Sequence, residues 1–142
     1  MNKLLIASRI MRVEGILLLL VAAIHLAVIP TLRSVFVRLL SPGDFQFVWS
    51  PFLLNHAVVG ILLIPLSLST LYCATGIRRG EGWSWRVGMT NPITILTLPL
   101  VLVAVMERRY FSALPFLIAA ILITVVGLSM IWPLLWVRRE LR

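Results

Sequence analysis

The sequence predicts an all-α integral membrane protein, a bundle of four transmembrane helices with short interfacial segments and both termini in the cytoplasm. Three observations carry this. The 142 residues are 61% hydrophobic and only 13% charged, whereas soluble domains run at about 45–50% apolar and about 25% charged. Apolar runs occur at about residues 13–32, 51–75, 85–106 and 113–137, each long enough at about 1.5 Å per residue to approach or exceed a hydrocarbon core of about 30 Å. The basic residues sit in the gaps between the runs, where lipid head groups and topology explain them. One domain, 1–142, holds all four spans.

The first span, Val13 to Leu32, is introduced by a basic lead-in (MNKLLIASRIMR) and has Pro30 in its last turn, where a proline costs less than at mid-helix. No cleavage site follows the short apolar patch of the lead-in, so the span is expected to stay as an anchor. The connection from Arg33 to Ser50 is too apolar for an aqueous loop. It reads as an interfacial segment interrupted by a Ser41-Pro42-Gly43-Asp44 turn, with its aromatics at head-group depth. Ser50 and Pro51 form a cap-and-first-turn signal for the second span, and Pro65 predicts a kink within it. A basic, glycine-rich turn spans Gly76 to Gly82. Trp83, Trp85 and Arg86 then lead into the third span, which Asn91-Pro92 and Pro99 interrupt. Either a kinked or a discontinuous helix satisfies that pattern. Glu107-Arg108-Arg109-Tyr110 is a tight turn, and the fourth span ends on Trp132, Trp136 and a basic tail.

Orientation follows from the basic residues. Nine of the 13 Lys and Arg fall in the N-terminal segment, the second connection and the C-terminal tail, and four fall in the other two connections. The positive-inside rule places both termini in the cytoplasm of a multi-pass protein of the plasma (inner) membrane. The net charge of +8 is then a membrane-surface feature. No basic face or stacking platform for nucleic acid is present. The single Cys73 excludes an intrachain disulfide and a cysteine-based zinc cluster.

Chemistry has few carriers. Glu14 and His25 are eleven residues apart, so they share a face of the first helix to within about 20°. Glu14 lies near the cytoplasmic boundary and reads as mostly interfacial. His25 lies about 10 Å below the outer end of its helix and His56 about 7–8 Å below the outer end of the next, so the two imidazoles come to similar depth. Facing histidines, with Asn55 as a weak partner, suit a metal, the iron of haem b, or a quinone. The alternative is that each histidine only hydrogen-bonds within the bundle. Ser67 and Thr70 lie on a small, polar stripe of the second helix together with His56 and Gly60, and this stripe looks inward. Asn91, Thr94 and Thr97 stand beside the interrupted part of the third helix, where threonines commonly bond their own backbone. No zinc-protease, phosphate-loop, nucleophile-elbow or haem-attachment motif occurs. No catalytic residue is therefore assigned, and an enzyme acting on its own is not the expected reading.

In size and four-span layout the chain resembles the broad class of small bacterial membrane proteins that includes DoxX-like proteins. This is an architectural resemblance, from which no residue role is carried over. The leading expectation is a small subunit or accessory protein of a membrane redox or respiratory assembly, holding haem b or a quinone between the first two helices. A small transporter or permeation protein is the alternative, followed by a purely structural subunit. The expected partners are lipids and other membrane subunits, or a second copy.

Overall fold

A computed structural model describes residues 3–105 and 114–141. Its elements are α1 (Lys3–Ala27), α2 (Ile29–Leu39), α3 (Pro42–Arg79), α4 (Trp83–Val105) and α5 (Leu114–Val137), closed by a 3-10 turn at Arg138–Glu140. No strand occurs among the described residues. Three helical stretches, Lys3–Ala27, Pro42–Arg79 and Ala120–Glu140, are long and apolar enough to cross a membrane. The turn expected at Glu107 to Tyr110 lies outside the described residues.

The helix boundaries follow from local chemistry. Pro30 has no N–H to give Leu26, and its ring crowds that carbonyl, so α1 stops and α2 restarts one residue on. The basic lead-in from Lys3 on forms the first turns of α1. The connection expected over 33–50 is also mostly helical. The reason lies in Ser41, which accepts the Asp44 N–H on Oγ at 3.3 Å and donates to Asp44 Oδ2 at 2.6 Å. With Pro42 in the first helical position, this is an N-terminal cap. The cap-and-proline signal read at Ser50-Pro51 thus operates nine residues earlier, and α3 runs unbroken through Pro51 and Pro65. Its 38 residues reach about 57 Å, well beyond a hydrocarbon core of about 30 Å.

At its other end, α3 closes on Gly80, whose φ of +75° suits glycine. The Gly80 N–H bonds the Ile77 carbonyl and the Glu81 N–H bonds the Gly76 carbonyl, both at 3.0 Å. These two bonds are a Schellman cap. The third expected span is continuous, since α4 passes through both Pro92 and Pro99 without a break.

Packing sorts the chain into two compact units, Gly15–Leu68 and Met1–Glu14 with Ser69–Arg142. The buried residues repeat at three- and four-residue steps, with Gly15, Leu18 and Ala22 on α1 in the first unit, and Thr70, Ala74 and Ile77 on α3 with Gly127, Met130, Leu134 and Val137 on α5 in the second. Large apolar side chains such as Ile24, Leu54, Leu100 and Trp132 point outward. A soluble protein would reverse that distribution. Lipid removes the incentive to bury leucine and rewards close helix approach instead.

Candidate functional site

Within Gly15–Leu68 the two histidines meet. The rings of His25 and His56 stack with centroids 4.4 Å apart and planes 23° from parallel. Backbone proximity makes this possible. A β-carbon on Gly60 would stand 2.9 Å from Leu26 Cδ2 and 3.3 Å from His25 Cβ, so α1 passes α3 where a side chain is missing. Ser67 fastens the same pair of helices, its hydroxyl donating to the Gly15 carbonyl at 2.7 Å.

The stack does not end at His56. Phe52 stacks on the His56 ring too, centroids 5.6 Å apart and planes within 12°. Phe52 in turn meets Phe36 of α2 at 4.7 Å and Trp49 at 6.0 Å, and Trp49 stacks on Phe45 at 5.8 Å. Phe45, Trp49, Phe52 and His56 are spaced four, three and four residues apart, so a continuous helix carries them on one face. Placing the aromatics of 33–50 at a lipid interface missed Phe36 and Trp49 as companions of the histidines, and Phe52 of the second expected span was not singled out. The signal was present in that spacing but becomes readable only when α3 begins at Pro42.

The arrangement tests the expected ligands. Two axial histidines address one haem iron from opposite faces of the macrocycle. Imidazoles lying face to face at 4.4 Å leave no room for a porphyrin between them, so this geometry does not fit bis-histidine haem b. For a metal held by side chains, no group of three His, Cys, Asp or Glu gathers among the described residues, and Asn55 is exposed. His25 ends the stack and is partly exposed, and Nε2 of His56 is buried with no hydrogen-bond partner among the described residues. Such an atom asks for an explanation, and a ligand is one.

The remaining expected residues belong, apart from Ser67, to the other unit, and most are accounted for by packing. Asn91 donates from Nδ2 to Thr70 Oγ1 at 2.9 Å, a buried interhelical bond. Thr94 and Thr97 donate to the carbonyls of Thr90 and Ile93, four residues back on their own helix. Glu14, expected near the cytoplasmic boundary, is packed against protein. It is only 9% exposed, and its Oε1 accepts the Ser129 hydroxyl of α5 at 2.7 Å. The neighbouring Ser8 donates to the Ala74 carbonyl at 2.7 Å, which brings this part of α1 tight against α3. The partner of Glu14 lies 115 residues away in sequence, which no local pattern reveals. No protein-family model, curated protein or solved structure matches this chain.

Proposed function

We propose that this chain is a small four-span protein of the plasma membrane, with α1, α3, α4 and α5 crossing and both termini cytoplasmic. In this reading it serves as a subunit or accessory protein of a redox assembly and binds a quinone-type ring at the His25–His56 stack. The observation that carries this reading is the stack itself, continuous with Phe52 and Phe36. Aromatic faces bind flat rings by offset stacking. An imidazole beside them supplies an N–H donor or a lone pair for a quinone oxygen. Asn55, next to His56 on α3, is the expected weak polar partner of this ring. The transport alternative drew on a broken third helix and on the Ser67/Thr70 stripe, and the continuity of α4 leaves it the stripe alone.

The test is titration of the purified full-length chain with a short-chain ubiquinone analogue, read by tryptophan fluorescence. Trp49, 6.0 Å from Phe52, should give a saturable quench. His56→Ala should remove the saturable part, and Trp49→Phe should remove the signal while leaving binding measurable by equilibrium dialysis. A quench that never saturates, or one that is equal in wild type and His56→Ala, refutes the quinone site and leaves the stack as packing.

A further inference from the structure

Four segments of the unit Met1–Glu14 with Ser69–Arg142 meet at one end of it. Lys3, at the start of α1, pairs with Glu140 of the 3-10 turn at 3.0 Å. A β-carbon on Gly80, just past α3, would stand 3.9 Å from both Leu4 Cδ1 and the Glu140 carbonyl oxygen. Arg138 lies over the ring of Trp85, in the first turn of α4, with its guanidinium carbon 4.9 Å from the centroid.

This end carries more positive charge than its own acids answer. Glu140 is taken by Lys3, and Glu81 by Arg79 at 3.8 Å and by the Trp83 N–H at 2.7 Å. Glu14, farther along α1, is buried against Ser129. Arg78, Arg86, Arg138 and Arg139 are exposed and have no carboxylate partner among the described residues. Their counter-charge comes from outside the unit.

We propose that Arg138, seated on Trp85, binds the phosphate of an anionic phospholipid head group, with Arg86 and Arg139 adding to the attraction. Contact with the indole holds the guanidinium in place, and its planar fork matches two oxygens of a phosphate. Depth argues for a lipid as the source of that phosphate. The stretch Ala120–Glu140 is long and apolar enough to cross a membrane, and Arg138 stands at its end. Trp132 and Trp136 are exposed in the last turns before it, and tryptophans of this kind mark head-group level. Charge argues for an anionic lipid. A zwitterionic head group brings its own cation and leaves the arginines unmatched, whereas an anionic one neutralises them. The site rests on the chain lying in a membrane and not on the quinone reading.

Native mass spectrometry of the full-length chain, released from micelles holding equal amounts of phosphatidylglycerol and phosphatidylcholine with matched acyl chains, tests this. The expected spectrum shows phosphatidylglycerol retained in preference to phosphatidylcholine. Arg138→Gln should cut that preference about fivefold, the gain that one arginine makes at an anionic surface. Arg33→Gln removes the same charge from an exposed position on α2 and should keep the wild-type preference. Arg138→Lys retains the charge but not the fork, and should weaken the preference as well. No preference in the wild type, or the same ratio in Arg138→Gln and Arg33→Gln, overturns the proposal. An Arg138→Lys chain that binds like wild type also overturns it, since charge alone would then suffice. Should Arg138→Gln fail to fold, Arg138→Lys decides by itself. Quinone binding is read from Trp49 and His56, so either reading can fail without the other.

Discussion

Replacing Gly60 with alanine tests the close approach that brings the two histidines together. The new β-carbon would sit 2.9 Å from Leu26 Cδ2, 3.0 Å from Leu26 Cγ and 3.3 Å from His25 Cβ, all inside the 3.4–4 Å of ordinary contact. Leu26 Cγ and its methyl can swing aside by rotation about Cα–Cβ, but His25 Cβ moves only with the α1 backbone. Overpacking of this kind costs about 1–3 kcal/mol, partly offset by the gain of about 1 kcal/mol when a helical glycine becomes alanine. Gly43 supplies the control. It lies in the first turn of the same helix, and a β-carbon there meets nothing within 4 Å, so Gly43→Ala carries at most the same propensity gain and no clash. The difference between the two variants isolates the steric term, expected at about 1–3 kcal/mol. Both are to be measured by reversible SDS unfolding of the full-length chain in mixed micelles. Separation of the helices should also weaken the ring-current shifts of the His25 and His56 C–H protons in NMR spectra. Equal unfolding free energies for the two variants, with unchanged histidine shifts, would refute the placement of Gly60 opposite Leu26 and with it the basis of the stack.

Two further outcomes are expected. Ser67→Ala removes the bond to the Gly15 carbonyl and should lower stability by about 0.6–1.7 kcal/mol in the same assay, the range of interhelical bonds within membranes; no loss would mean that the bond is replaced within α3. Ser41→Ala should cost about 1 kcal/mol and fray the start of α3, seen as faster amide exchange over residues 42–46; exchange like that of wild type would place the true start of the helix at Pro51.

The apolar spans were legible because the signal is local. A run of some twenty apolar residues reports its length and composition without reference to any partner, and α1, α3 and α5 carry it plainly. Helix starts were harder, because the chain offers two Ser-Pro pairs. At Ser41-Pro42 the residue two places after the proline is Asp44, which completes the cap. At Ser50-Pro51 the same place holds Leu53, which offers nothing to the serine. A proline alone did not end α3, since one missing N–H is a small loss in a 38-residue ladder.

The site divides along the same line. The sequence paired His25 with His56 by counting residues from Leu32 and Pro51, although α1 ends at Ala27 and α3 begins at Pro42. It also determined that Ser67 and Gly60 share the face of His56. Only tertiary structure decided that the rings lie face to face, because that depends on how near α1 comes to α3, which the bare backbone at Gly60 and the Ser67–Gly15 bond set together. Tertiary structure likewise decided the place of Glu14. By position it stands at the edge of its span. Its burial depends on Ser129, which reaches it from the far end of the chain, and a contact between such distant residues leaves no trace in local periodicity.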